Sequence, residues 1–521
     1  MDRRKFLATS LGTSLYLAQA PGSLAQRPAS GGWDPGRVRH LLPTVGDSRI
    51  LIKASFTSPL SGVPTLRVGS LAVRGRMNDT AGEFWQFYAE GLTPARRYNL
   101  SLTAADGSAL CQPWDLATFP SPEARPEHFR VLFYTCAGGP TARYLPVTQR
   151  SRLLRRALSF QPDAVVANGD HVYWDLHAPR AGGRTGMETD RWRAFDASAP
   201  VPGTKNEAVL KTVATPQIAP VYGTDFRSTP VFFLQDDHDH YENDEGTDAI
   251  VTFPPAWFQL QLARATQQLY YPEFLPDAAR PAGLPWSSLS DRGNLSESFG
   301  TLRYGRLAEV LLYDVRRTMT MAGPSAVFVD NQVEKWLHER TASSEVRHLV
   351  HAPSNPPGWS AGKWGEWYPD VLGPDDRLTA SIAKPYWQKG WLAQHDRLLD
   401  AISSMKQRTP LIVSGDLHAL AIGKILRTGA KRLDANPVTA ILAGPIGTDR
   451  GWPSAVRGVV PLPPTHLDVA EAVKPLEQHG FTIVDFEPNR IGIRMFKWNY
   501  RTEAPEAIDQ MQPFHTTELV S

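Results

Sequence analysis

The chain has 521 residues, of which 42% are hydrophobic and 21% are charged, and its formal net charge is +2. These values are ordinary for a globular protein with two or three domains. They argue against a nucleic-acid-binding function, which needs clustered basic residues to follow phosphates, and none of the arginine-rich stretches is long.

Residues 1–25 are predicted to be an export signal. Arg3 and Arg4 precede a mildly apolar stretch, a pattern that resembles a twin-arginine signal. The stretch is shorter than the roughly 20 residues that a membrane-spanning helix requires, so we expect no transmembrane anchor. We expect cleavage after Ala25, the twin-arginine translocase as a partner, and a periplasmic or secreted protein. A disordered basic start is the alternative.

Residues 33–123 are predicted to form a small β-sandwich. Short strand-like segments alternate with turn residues here, without a convincing amphipathic helix. Tyr98 follows Leu92-Thr93-Pro94 in a pattern that resembles the tyrosine corner of fibronectin type III domains, where the phenol bonds to nearby backbone. The predicted strands are 49–56, 65–68, 83–90 and 98–103. We expect this domain to serve as a packing module.

Residues 126–502 alternate strand and helix patterns, which indicates an α/β fold with helices covering sheets. The helical patterns are 147–160, 258–270, 330–342 and 394–406, and the segments 481–486 and 490–497 are predicted to form a hairpin. We expect residues 503–521 to be a tail.

Four short buried runs, 129–134, 164–167, 231–234 and 411–413, are each followed by residues that bind metals. The carboxyl ends of strands in an open sheet share one crevice, so we expect these residues to converge. The residues are Cys136; Gly169-Asp170-His171-Val172-Tyr173; Asp236-Asp237-His238-Asp239 with Asn243; and Gly415-Asp416-Leu417-His418. The alternative is that Asp170 and Asp416 cap helices and His418 lies at the surface.

Cys111 and Cys136 are the two cysteines of the chain. In an exported protein they could form one disulfide. The position of Cys136 at a strand end favours a thiolate ligand, with Cys111 as a buried small residue.

These motifs, in this order, resemble those of the alkaline phosphatase D (PhoD-like) metallophosphatases, a branch of the calcineurin-like metallophosphoesterases. The resemblance implies a four-layered α/β/β/α sandwich after the fibronectin-like domain, and a centre of Fe(III) with one or two Ca(II). Other divalent metals stay open. Carried over by motif, the iron ligands are Cys136, Asp170, Tyr173 and His418, and the calcium ligands are Asp170, Asn243 and Asp416. Thiolate, phenolate and imidazole suit a redox-active transition metal, and phenolate stabilises the ferric state, whereas carboxylate and amide oxygens suit calcium.

Four further residues have two readings each. Asp237 and His238 either contact metal and phosphate or orient Asn243. His351 is either a metal ligand at a strand end or a core histidine. Arg316 is either a clamp for a phosphate oxygen or part of a surface salt bridge.

The expected activity is hydrolysis of a small-molecule or polymer phosphate ester, monoester or diester, by a monomer. Metal-activated hydroxide attacks phosphorus, and His238 protonates the leaving group. One alternative is a serine hydrolase, because Gly358-Trp359-Ser360-Ala361-Gly362 matches the nucleophile-elbow pattern, although prolines precede it. Another is a non-catalytic wall- or glycan-binding protein.

Overall fold

The computed structural model describes most of the chain from residue 32 onward. The predicted export signal lies outside the described residues and stays a prediction. Among the described residues, the structure contains no helix with both the length and the apolar character of a membrane span. The described residues are 32–140, 144–174, 194–240, 255–285, 294–320, 326–343, 345–361, 371–379, 389–449 and 451–520.

The first eight strands form two antiparallel four-stranded sheets, in the orders β1-β2-β6-β5 and β4-β3-β7-β8. The hydroxyl of Tyr98 accepts a hydrogen bond from the backbone N–H of Thr93 at 2.7 Å, which is the contact expected from the sequence. The four strands predicted here are present within one residue at each end. The strands are β1 (Val38–Val45), β2 (Ile50–Phe56), β3 (Thr65–Val68), β4 (Leu71–Arg74), β5 (Arg76–Met77), β6 (Phe84–Ala89), β7 (Arg97–Thr103) and β8 (Trp114–Ala117).

Strands are interspersed with helices from residue 129 to residue 414, as the sequence predicts, and the described chain beyond is mostly strands. The elements are β9 (Phe129–Tyr134), α1 (Val147–Leu158), β10 (Ala164–Asn168), α2 (Lys205–Tyr222), β11 (Val231–Leu234), α3 (Trp257–Tyr270), β12 (Phe299–Tyr304), β13 (Ala308–Tyr313), α4 (Asn331–Ala342), β14 (His348–Pro353), β15 (Val371–Leu372), β16 (Leu378–Thr379), α5 (Lys389–Ser403), β17 (Leu411–Ser414), β18 (Leu420–Thr428), β19 (Lys431–Arg432), β20 (Val438–Ala443), α6 (Pro453–Arg457), β21 (Leu467–Leu476), β22 (His479–Glu487), β23 (Arg490–Trp498) and β24 (Pro513–Val520).

One sheet has six strands in the order β11-β10-β9-β22-β23-β24. Strands β9, β10 and β11 are parallel, so their carboxyl ends lie at one edge. Every residue of β10 is buried, as in a parallel strand covered on both faces. Helices α1, α2 and α3 share a hydrophobic core with this sheet.

The other large sheet has eight strands in the order β12-β13-β14-β17-β20-β18-β19, with β21 paired to β18. Strands β13, β14, β17 and β20 are parallel. Helices α4 and α5 share a second hydrophobic core with it. Nδ2 of Asn168, at the end of β10, donates to the carbonyl of Pro353, at the end of β14, at 3.0 Å. The carboxyl ends of parallel strands from both sheets therefore meet.

The prediction of a tail at residues 503–521 is wrong. Pro513–Val520 form β24, which pairs with β23 at the edge of the six-stranded sheet. Most side chains of β24 are partly or fully exposed, so its sequence lacks the apolar run by which a buried strand is recognised.

Candidate metal centre

The candidate site lies where the carboxyl ends of parallel strands from the two sheets meet. Cys136 follows β9, Asp170 follows β10, Asp237 follows β11 and Asp416 follows β17. The convergence expected from the strand-end positions is therefore present.

The four residues predicted to hold iron form one tight group. Ligand atoms of Cys136, Asp170 and His418 all lie within 4.8 Å of one another. The thiol of Cys136 donates to Oδ2 of Asp170 at 3.3 Å. The hydroxyl of Tyr173 lies 3.0 Å from the same Oδ2 and 3.1 Å from Nε2 of His418.

Asp170 also belongs to a second group. It lies with Asp237 and His238, and a third group joins Asp236, Asp237 and Asp416. Oδ1 of Asp170 and both carboxylate oxygens of Asp237 are buried and have no hydrogen-bond partner among the described residues. Burying a carboxylate oxygen costs free energy of folding unless a cation or a hydrogen-bond donor contacts it. The donor set therefore fits bound metal ions.

The loops that carry these ligands hold strained backbone. Nine described residues other than glycine have a positive φ, and four of them are Cys136, Asp170, Asp416 and His418, with φ between 49° and 67°. Side chains other than glycine rarely adopt this region, and such strain concentrates at functional sites.

Two glycines allow the loops to approach each other closely. A Cβ atom at Gly415 would lie 2.3 Å from Oγ1 of Thr135, and one at Gly169 would lie 2.4 Å from Cβ of Asp236. A side chain at either position would push the ligand loops apart. The glycine that precedes each ligand aspartate is thus a packing requirement.

Asp239 ties the loop of Asp170 to the loop after β11. One of its carboxylate oxygens accepts from the N–H groups of Asp170 and Asp236 at 2.8 and 3.1 Å. The other accepts from His171 and Val172 at 2.8 and 3.0 Å. Since Asp239 is buried, these four bonds fix the backbone on which Asp170 sits.

Two helical side chains hold the same loops from behind. Oε1 of Gln217 accepts from the N–H groups of Gly139 and Tyr173 at 2.9 and 3.1 Å. Nη1 of Arg150 donates to the carbonyls of residues 137–139 at 2.8 to 3.1 Å. Sequence reasoning missed both residues. In the sequence Arg150 is one of four arginines on helix α1, and its burial is evident only in the structure.

The pKa shifts of the candidate ligands fit a site that holds a cation. Burial raises the pKa values of the Cys136 thiol and the Tyr173 phenol, and the Asp170 carboxylate raises them further. Burial also raises the pKa of Asp237, although His238 opposes this. A bound metal ion reverses this balance and favours thiolate and phenolate.

Arg316 is fully buried between two carboxylates. Its Nε lies 2.5 Å from Oδ1 of Asp236, and its Nη2 lies 3.2 Å from Oδ2 of Asp416. The reading as a surface salt bridge is wrong because the pair is buried. The geometry places Arg316 to orient Asp416, and its contact with a phosphate oxygen stays a prediction.

His351 lies outside these groups. Its Nδ1 is 3.3 Å from the hydroxyl of Tyr313, and its Nε2 is 3.1 Å from Oγ1 of Thr341. Burial lowers its pKa to about 3. The prediction of a metal ligand is wrong, because β14 continues to Pro353 and leaves His351 inside the strand, where hydroxyls occupy both ring nitrogens.

Two other predictions concern Asn243 and the two cysteines. Asn243 lies outside the described residues. Cys111 and Cys136 are both buried thiols and no disulfide joins them, so the disulfide alternative is wrong.

Ser360 lacks the setting of a catalytic serine. Its backbone forms a bridge with Leu462, through hydrogen bonds of 2.9 and 2.8 Å. A nucleophile elbow follows directly on a strand, whereas residues 354–361 contain no strand beyond this isolated bridge.

No protein-family model matches this sequence, and no curated protein matches it. Among solved structures, that of PhoD is similar with a TM-score of 0.60 and 15% identity, covering 95% of this chain and 92% of that chain. Purple acid phosphatase PPD1 from yellow lupin (Lupinus luteus) seeds is similar with a TM-score of 0.56 and 10% identity, covering 94% and 75%. The expected likeness to the PhoD-like metallophosphatases is confirmed at the level of the fold, a mixed α/β arrangement with several sheets.

Proposed function

We propose that this chain is a metal-dependent phosphoric ester hydrolase of the alkaline phosphatase D type, acting on phosphomonoesters or phosphodiesters. One observation carries the proposal. A thiol, a phenol, an imidazole and several carboxylates converge at one end of two sheets, and in the described part of the chain some carboxylate oxygens are buried without a hydrogen-bond partner. The fold shared with two phosphatases supports it.

The proposed metals are Fe(III) and Ca(II), with other divalent ions as substitutes. Thiolate, phenolate and imidazole suit a transition metal, whereas carboxylate and amide oxygens suit calcium. Bound metal ions supply Lewis acidity toward phosphoryl oxygens and acidify water. The proposed ligands are Cys136, Asp170, Tyr173 and His418 for iron, and Asp170, Asp237, Asp416 and Asn243 for calcium.

His238 is the proposed proton donor to the leaving ester oxygen. Its ring packs against that of Tyr173, with centroids 4.2 Å apart, which fixes its position beside the ligands. The residue is 8% exposed, so one edge can face a substrate. An imidazole exchanges protons near neutral pH, as this role requires.

The finer architecture and the location belong to the same proposal. We infer a four-layered α/β/β/α sandwich preceded by a fibronectin type III-like domain, supported by a separate helix-covered core for each large sheet. Export through the twin-arginine translocase to the periplasm or beyond would deliver the protein folded and loaded with metal. We also propose that the protein acts as a monomer.

The variants Asp170→Asn and Asp416→Asn test the function. Asparagine tolerates positive φ, so the backbone is preserved. Hydrolysis of p-nitrophenyl phosphate and bis-p-nitrophenyl phosphate is expected to fall to background, together with metal content, while the circular dichroism spectrum stays unchanged. Asp396→Asn is the control, because this carboxylate binds His466 and Thr428 and belongs to none of the three groups.

Three results would contradict the proposal. One is full hydrolysis by folded Asp170→Asn. Another is labelling by a fluorophosphonate that Ser360→Ala abolishes, which would favour a serine hydrolase. The third is binding of cell-wall polymer without any turnover, which would favour a non-catalytic protein.

A further inference from the structure

A basic pocket lies at the amino ends of three adjacent parallel strands, opposite the candidate metal centre. Arg306 precedes β13, Arg347 precedes β14 and Arg408 precedes β17, and Arg125 and Lys406 also line the pocket. The cavity has a volume of about 490 Å³, which is in the range of small-molecule sites. A six-residue strand spans about 20 Å, so the two sites are well separated.

The pocket has an excess of positive charge. Five cationic side chains line it against two carboxylates, those of Glu127 and Glu345. Glu345 is already paired with Arg303 and Arg340, at 3.1 and 3.4 Å. A cleft lined mainly by one sign of charge raises the local concentration of the opposite ion. The pocket therefore attracts anions.

Two of the arginines are held in place by backbone carbonyls. Nε of Arg347 donates to the carbonyl of Pro488 at 2.7 Å, and Nη2 of Arg408 donates to that of Thr341 at 2.6 Å. Arg408 is 8% exposed, and its Nη1 is buried without a hydrogen-bond partner in the described part of the chain. The charge of Arg408 is therefore only partly compensated by hydrogen bonds and adds to the positive charge beside the pocket.

The segment that joins the N-terminal sheets to β9 forms the rim of the pocket. The carbonyl of Ala124 accepts from the N–H of Arg306 at 2.7 Å. Gly305 has a φ of +59°, and a Cβ there would lie 2.5 Å from the same carbonyl. This close approach brings Arg125 to the basic pocket.

We propose that the basic pocket binds a small organic phosphate. Its phosphate group contacts Lys406 and the arginines, which are cations and hydrogen-bond donors that match oxyanions. Its apolar part lies against Leu307 and Val346, which line the same cavity. Free inorganic phosphate carries the same charged group as an organic phosphate, so the experiment compares the two ligands.

Titration calorimetry on the full-length metal-loaded protein tests this site, with phenylphosphonate and inorganic phosphate as probes. Phenylphosphonate has a C–P bond in place of an ester bond. The double variant Arg306→Gln/Lys406→Gln changes two exposed side chains and is expected to weaken phenylphosphonate binding at least about tenfold, because two charge-assisted contacts are lost. The matched control is Arg67→Gln/Lys474→Gln, which removes the same charges from exposed positions elsewhere and is expected to bind as the parent does.

The outcomes separate this site from the metal centre. Binding that survives in Asp170→Asn and is lost in the double variant supports the basic pocket, whether or not the proposed hydrolase function holds. Binding that is lost in Asp170→Asn and unchanged in the double variant overturns the pocket. Equal affinity for phenylphosphonate and inorganic phosphate overturns the organic part of the ligand.

Discussion

Gln217 allows the positioning of the ligand loops to be separated from metal ligation. Its Oε1 accepts from the N–H groups of Gly139 and Tyr173, and its Nε2 donates to the carbonyl of Val213 at 3.1 Å. Gln217→Met keeps the length and helix propensity of the side chain. The variant leaves two buried N–H groups without an acceptor, at about 1–3 kcal/mol each, so the free energy of unfolding is expected to fall by about 2–6 kcal/mol.

The same variant is expected to bind metal more weakly and to lose activity, because the loops of Gly139 and Tyr173 lose one of the side chains that anchor them. Groups that orient metal ligands typically account for about 10- to 100-fold in metal affinity or activity. Urea denaturation, metal analysis and hydrolysis of p-nitrophenyl phosphate measure the three effects on one preparation.

Gln394→Met is the matched control. Gln394 is also buried, accepts from the N–H of Phe328 at 2.6 Å and donates to the carbonyl of Val329 at 2.9 Å. It is expected to lose stability and keep its metal content and activity per folded molecule. If both variants retain full metal content and activity, Gln217 supports the fold alone and the reasoning is refuted.

Two further predictions concern His351 and Asp485. His351→Gln is expected to lower the free energy of unfolding and leave metal content unchanged, and loss of metal at constant stability would contradict this. Burial raises the pKa of Asp485, but hydrogen bonds from His128 and Arg130 outweigh it and lower the pKa to about 2. Because the unfolded pKa is about 3.9, the carboxylate contributes about 2–3 kcal/mol of stability above pH 4, and this contribution is lost as the pH falls through about 2. In Asp485→Asn, the free energy of unfolding is expected to fall less between pH 4 and pH 2 than in the parent protein. Acid-unfolding curves of equal steepness for the variant and the parent would contradict this prediction.

The strand-end motifs were predictable because each couples a buried β run to a tight turn with a ligand residue. Parallel topology in the six-stranded sheet brings Cys136 and Asp170 together. Asp416 follows β17 of the eight-stranded sheet and joins them only because the two sheets meet, which strand patterns alone do not predict. His351 shows the limit of this reasoning. It resembles a strand-end ligand in the sequence, but β14 extends two residues further and places it in the core.

Helix α2 was not predicted, for physical reasons. It contains Pro216 and Pro220, and its buried residues are spread around the helix rather than along one stripe. Tertiary packing, rather than local propensity, therefore stabilises it. Gln217, on this helix, contacts backbone groups more than 40 residues away, and such contacts leave no periodic signal in the sequence.

Asp170 lies in one group with Cys136 and His418 and in another with Asp237 and His238. Under the proposed function, Asp170 would help to hold both cations. Occupancy of either position then changes the affinity of the other, and thermodynamic linkage requires the same factor in both directions. The dissociation constant of each ion would consequently differ according to whether the other position is filled, and partial removal of metal by a chelator would report this coupling.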